Sequence, residues 1–203
     1  MTDNNNMDLK NFFKVSDEDD LKVKNRGTGA GGKNTNKNGL PYEDITELST
    51  EYDIINKYPF YSLISFKPSE KLFKYTKQLK FKKCMRDKIL SNIPAVHGTH
   101  SPDECYIDEE DKIVFIIEKK FQQCSGSVCE KIQTADCKRR NYQKRIPDYK
   151  IVYMYCLSDW FKDNCKAELE YLQDINIPVF WGSDKNYKNS IIKSIIDYNL
   201  DSI

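Results

Sequence analysis

The run Ile113-Val114-Phe115-Ile116-Ile117 is apolar at five successive positions and leads directly into Glu118-Lys119-Lys120. A strand with one wet face alternates apolar and polar residues. A strand apolar on both faces belongs inside a sheet that is covered on both sides. This single run therefore requires strand neighbours and helical cover. The surrounding sequence supplies both. Residues 104–107 and 112–120 read as two strands about the acidic turn Asp108-Glu109-Glu110-Asp111. After Gly126 comes a helix signature, Ser127 with Glu130 three residues on, and an apolar stripe of Val128, Ile132, Ala135, Tyr142 and Ile146. Residues 151–157 then read as strand, 160–172 as helix, 177–181 as strand and 191–200 as helix. Such alternation implies some parallel pairing with helical cover. The fold class expected is α/β (or α+β), a mixed β-sheet flanked by helices.

The first part of the chain is different. Residues 1–24 are polar and acid-rich around a small apolar cluster, Leu9, Phe12, Phe13 and Val15. Residues 25–39 hold five of the eight glycines and no apolar side chain larger than Ala30, the composition of a loop. We read residues 1–40 as a flexible arm with a Gly-rich loop, and 41–203 as the folded domain. From Pro41 the spacing of Tyr42, Ile45, Leu48, Tyr52 and Ile55 predicts a helix. Residues 60–66 read as a strand or an apolar connection. A second helix is expected over 69–90, carrying Lys71, Lys74, Lys77, Lys80, Lys82, Lys83, Arg86 and Lys88 against only Glu70 and Asp87.

Charge totals give no indication of partner, because 32 Lys+Arg balance 31 Asp+Glu in 203 residues. No run approaches the roughly 18–20 apolar residues of a membrane span. The start MTDNNNMDLK has neither the basic residues nor the apolar stretch of a signal peptide. We expect a cytoplasmic protein, or an intracellular one in a host if the source is viral, with no membrane partner. The seven cysteines are odd in number, irregularly spaced and without C-x-x-C, which predicts free thiols in a reducing compartment. His97, His100 and Cys105 lack the second ligand pair of a zinc finger.

The chemistry is concentrated from Pro102-Asp103 to Gln122. An acid-x-Lys pattern means little alone, for it also occurs at Asp8-Leu9-Lys10, Asp20-Leu21-Lys22, Glu110-Asp111-Lys112 and Asp148-Tyr149-Lys150. Context distinguishes the copy at 118–120. Glu118, Lys120 and Gln122 fall at period two, on one face at the end of the buried strand. If the hairpin turns symmetrically about Glu109-Glu110, Ile107 opposes Lys112 and Asp103 opposes Ile116. Asp103 and Glu118 are then diagonal neighbours with Cβ atoms about 7–8 Å apart. Two carboxylates so placed can converge on one magnesium ion, which prefers hard oxygen ligands and few carboxylates. Lys120 projects beside them. The competing reading is a salt-bridged hairpin end with exposed charges.

These residues resemble the PD-(D/E)xK nuclease superfamily, and within it the type II restriction endonucleases. Pro102-Asp103 is similar to the PD element and Glu118-Lys119-Lys120 to the ExK element. The likeness extends through Phe115-Ile116-Ile117-Glu118-Lys119-Lys120-Phe121-Gln122-Gln123, Ser125-Gly126-Ser127-Val128 and Glu130-Lys131-Ile132-Gln133-Thr134. It also takes in Gly31-Gly32-Lys33-Asn34-Thr35-Asn36 and Gly39-Leu40-Pro41-Tyr42-Glu43. Cys129 departs from it, where an acidic residue is expected. The resemblance covers about residues 26–160. It implies a restriction-endonuclease-like mixed sheet flanked by helices, and a magnesium-dependent phosphodiesterase acting on double-stranded DNA. Asp103 and Glu118 are implied as metal ligands, with the Lys119 carbonyl beside them and Glu43 as a further ligand or supporting carboxylate. Lys120 is implied to position the attacking water, and Gln122 to support the site. Glu43 also has a plain reading, as an acid stabilised by a helix N-terminus.

The Gly-rich loop matches P-loop spacing only as far as Lys33. Asn34 stands where Ser or Thr is needed, and no apolar strand precedes the loop, so no nucleotide cofactor is expected. Its free N–H groups with Lys33, Asn34 and Asn36 suit DNA better. Lys131, Lys138 and Arg145 recur every seven residues, and Lys131 and Lys138 are expected to contact phosphates. A homodimer is expected, since two copies of one site can cut both strands of a palindrome. The alternatives are a repair or viral DNA-degrading nuclease, and a non-catalytic DNA-binding module on the same fold.

Overall fold

The computed structural model describes residues 40–93, 95–123 and 128–198. The expected arm and Gly-rich loop, with Lys33, Asn34 and Asn36, lie outside them. In chain order the elements are a helical turn α1 (40–45), a 3-10 turn at Leu48–Thr50, then β1 Tyr52–Lys57, β2 Ser62–Phe66, β3 Leu72–Thr76 and α2 Gln78–Arg86. They continue with β4 Glu104–Asp108, β5 Ile113–Lys120, α3 Val128–Gln133, α4 Ala135–Arg145, β6 Lys150–Leu157, α5 Trp160–Asn164, α6 Lys166–Asp174, β7 Val179–Trp181 and α7 Tyr187–Ile196.

The seven strands form one mixed sheet in sequence order. Neighbours from β1 to β5 pair antiparallel, while β5–β6 and β6–β7 pair parallel. The parallel crossovers pass through α3–α4 and through α5–α6, which cover one face. The apolar run of β5 divides accordingly. Val114 and Ile116 pack with Phe81, Met85, Ile132, Tyr142 and Phe161 on that face. Ile113, Phe115 and Ile117 pack with Ile64, Phe66, Phe73, Ile191 and Ile195 on the other. Burial of β5 on both faces is what its sequence demanded.

Four expectations need correction. The helix from Pro41 ends at 45, and Tyr52 opens β1, where it meets the rings of Phe66, Tyr75 and Tyr106. The expected 69–90 helix is instead β3 followed by the shorter α2. Phe73 packs on Phe66 and Phe115 and Tyr75 stacks on Tyr106, contacts that only a strand makes available. Three of its lysines, all before α2, are committed to ion pairs: Lys71 pairs with Asp108 and Asp111, Lys74 with Glu109 and Lys77 with Glu47.

The third correction concerns helix continuity and cysteine state. The helix after Gly126 breaks at Thr134, whose hydroxyl donates to the Lys131 carbonyl at 2.7 Å, and the 160–172 helix breaks at Cys165. Cys165 is joined by a disulfide to Cys129. Not all thiols are therefore free, although Cys84, Cys105, Cys137 and Cys156 are.

The fourth is register. Asp108 Oδ1 accepts from the amides of Glu110 and Asp111, at 3.0 and 3.1 Å, and so builds a four-residue turn. Glu104 then pairs with Ile117, and Asp108 with Ile113. This register is two residues from the symmetric one. A shift of two preserves the faces, and continuing it brings Asp103 directly opposite Glu118. Among the described residues no helix is long and apolar enough to cross a membrane.

Candidate active site

Asp103 enters β4 just after Pro102, whose carbonyl accepts from the Gln78 amide at 2.8 Å. Asp103 Oδ2 in turn accepts from the Lys119 backbone N–H at 2.7 Å. The side chain is thereby fixed across the start of β4 and the end of β5. Glu118 lies on the same face, buried, and its Oε1 receives two ammonium groups: Lys120 at 2.8 Å and Lys138 at 2.9 Å. Lys120 Nζ also donates to the Lys119 carbonyl at 2.9 Å and lies 3.8 Å from Asp103 Oδ2.

Glu43 approaches from α1. Its side chain accepts from Gln78 Nε2 at 3.4 Å, and its backbone carbonyl accepts from Lys119 Nζ at 2.9 Å. α1 is also seated by Tyr42, which lies against Phe121 and whose hydroxyl meets the Cys156 sulfur at 3.6 Å, and by the Tyr187 hydroxyl, which donates to the Ile45 carbonyl at 3.1 Å; the Thr46 hydroxyl closes its last turn on the Tyr42 carbonyl at 2.6 Å. The close approach of Tyr42 requires glycine at 182, where a Cβ would stand 2.3 Å from the Tyr42 hydroxyl oxygen. Gln122, half-buried, follows the strand, and its backbone N–H and C=O both bond the Ser158 hydroxyl, at 3.0 and 3.1 Å.

The electrostatics separate the carboxyls. Burial acts to raise the Glu118 carboxyl, but Lys120 and Lys138 outweigh it and hold the group below its ordinary value. Burial raises Asp103, with the Glu118 charge adding to it against Lys120. Glu43 is pushed up to about 7 by burial and by the Asp103 charge. For Lys120 burial opposes the charge, yet Glu118 and Asp103 prevail and raise its pKa. The firm ion pairs of the cluster are those of Glu118 with Lys120 and Lys138.

The donor set suits a hard cation. A carboxylate of Glu118, the carbonyl of Lys119 and a carboxylate of Asp103 surround one point, and there the Lys120 ammonium stands in for a cation. Oxygen donors of this kind fit magnesium. Asp103, Glu118 and Glu43 do not all close to within 4.8 Å of one another; among the described residues the group that does is Cys129, Cys165 and Glu168, in which the two cysteines are a disulfide. As they stand, the oxygens around this point hold the Lys120 ammonium.

Other predicted positions behave differently. Lys131 is exposed on α3, whereas Lys138 is on α4 and turned inward to Glu118. The two do not share one helical stripe, and Lys138 is a site residue rather than a surface one. Cys105 is fully buried in the core, away from any zinc cluster with His97 and His100 among the described residues. The sequence reading also missed the side chain of Lys119, which points to the opposite face of the sheet from its neighbours Glu118 and Lys120 and pairs with Glu104. Strand alternation carried that signal: a lysine between two site residues must enter the other core. A cavity of about 600 Å³ lies at the other end of β6, lined by Arg139, Arg140, Gln143 and Lys150, and includes none of the site residues. Comparison of the chain with protein-family models, with curated proteins and with solved structures finds no match.

Proposed function

We propose that the protein is a magnesium-dependent endonuclease hydrolysing phosphodiester bonds in double-stranded DNA, of the PD-(D/E)xK type, and that it works as a homodimer. The observation that carries this reading is the gathering of Asp103, Glu118 and Lys120 on one face at the end of β5, with oxygens of both acids and of Lys119 around a single cationic point. A salt-bridged hairpin end with exposed charges accounts less well for acids whose side chains are only 15% (Asp103) and 11% (Glu118) accessible. A seven-stranded mixed sheet covered by helices is compatible with the restriction-endonuclease-like fold.

A magnesium ion would be held by Asp103 and Glu118 with the Lys119 carbonyl, and by Glu43 if α1 moved toward them, and would supply Lewis-acid polarisation of the phosphate and a more acidic bound water. The residues of the chain do the rest. Lys119 N–H fixes the Asp103 carboxylate, and Lys138 keeps Glu118 ionised when Lys120 leaves it. Lys120, released from Glu118, carries its charge to the phosphate and orients the attacking water. Its strongly raised pKa makes it an electrostatic group, not a base at neutral pH. Lys131 on the exposed side of α3 contributes a phosphate contact. Incubation of the purified protein with plasmid DNA and magnesium, followed by sequencing of fragment ends, tests the reading. DNA that is bound but never cut with any divalent ion points instead to a binding module.

A further inference from the structure

Lys119 is the least exposed lysine of the site region, with its side chain 3% accessible, and its partner Glu104 is 1% accessible. Both sit on the sheet face opposite Asp103, Glu118 and Lys120. Burying an ion pair costs several kcal/mol of desolvation per ion unless the geometry is good and the remaining polar atoms are satisfied. Most of that condition is met here, although Glu104 Oε1 meets the ammonium as an ion pair and not in a well-directed hydrogen bond. The Lys119 ammonium contacts Glu104 Oε1 and donates to the Glu43 carbonyl at 2.9 Å, while Glu104 Oε2 accepts from the Tyr106 hydroxyl.

The Glu43 carbonyl is one of the last in α1, a helix ending at 45, and so lacks a full set of helical partners. A cation at a helix C-terminus satisfies that carbonyl and complements the negative end of the dipole. Lys119 thus makes four connections from one residue. Its N–H holds Asp103, its C=O holds Lys120, and its ammonium holds Glu104 and the backbone of Glu43.

We infer that Lys119 is a positioning residue: through the sheet it ties α1, and with it Glu43, to the Asp103–Glu118 carboxylates. The role rests on the proposed reading of those carboxylates as a metal site. Residues that orient metal ligands in this way typically change metal affinity by about 10–100-fold when lost.

The test uses the full chain with Lys119→Met and Glu104→Gln together. The pair is replaced as one, so that no buried carboxylate is stranded if Lys119→Met alone fails to fold. Manganese alone is titrated and followed by electron paramagnetic resonance. In parallel, hydrogen exchange is read at the Thr46 amide, which bonds the Tyr42 carbonyl. The inference expects at least tenfold faster exchange at Thr46 and manganese affinity weaker by about 10–100-fold, with DNA affinity in EDTA unchanged. Wild-type exchange together with wild-type manganese affinity in the double variant overturns it and leaves the metal reading intact. If the wild-type protein itself takes up no manganese, the metal reading falls, and the positioning role falls with it even where Thr46 exchange accelerates.

Discussion

Lys138, on α4, donates to Glu118 Oε1 at 2.9 Å across 20 residues of chain. The contact makes Glu118 the acceptor of two ammonium groups, and it commits the Lys138 charge to that carboxylate. Local sequence spacing placed Lys138 in line with Lys131, but the break at Thr134 puts them on separate helices.

The salt dependence of DNA binding separates the two lysines. Lys131→Ala should reduce the slope of log affinity against log salt by about one, as loss of a single phosphate contact does. Lys138→Ala should leave that slope unchanged, because its charge is already committed to Glu118. Binding titrations in EDTA over a range of salt concentrations check this. Equal slope changes for both variants would return Lys138 to the DNA-contacting surface.

Gly182→Ala should loosen α1. The added Cβ meets the Tyr42 hydroxyl oxygen at 2.3 Å and the Thr46 methyl at 3.0 Å, so the Tyr42 ring must swing away or carry the turn with it. Overpacking of this kind costs about 1–3 kcal/mol. Urea denaturation should show a lower midpoint with an unchanged slope. Because Glu43 rides on the same turn, activity should fall further than stability does.

Acid should weaken the β4–β5 hairpin. Although burial opposes it, hydrogen bonds from Lys74, Tyr149 and Lys112 hold the Glu109 carboxyl below its ordinary value. A carboxyl depressed on folding adds stability that is fully present above the unfolded value of about 4.3, and loses it as pH falls through the folded value. Glu109→Gln should therefore lower stability at pH 7 and narrow the gap to wild type near pH 3. Urea midpoints at both pH values read the effect. A gap that stays constant with pH would mean that the ion pairs of Glu109 contribute nothing.

The parts of the fold legible in sequence were those written locally. The both-face apolar run gave β5 and its cover, and period two put Asp103, Glu118 and Lys120 on one face even though the turn shifted the register by two. What escaped depended on distant partners. Phe73 and Tyr75 are strand residues because Phe66, Phe115 and Tyr106 lie beside them, and a lysine count suggests a helix instead. Cys129 looked like a missing acid; its partner, Cys165, is 36 residues away. Lys119 looked like the spacer of a motif, and only the opposite face of the sheet reveals Glu104 and Glu43 as its partners.

Plasmid cleavage in magnesium by wild type and Lys120→Ala, with Lys150→Ala as control, tests the central claim most directly. Wild type should produce defined fragment ends. Lys120→Ala should cut on the order of 10²–10⁴ slower while binding DNA as tightly, and Lys150→Ala should cut normally. Cleavage by Lys120→Ala at the wild-type rate would contradict the assignment of this site.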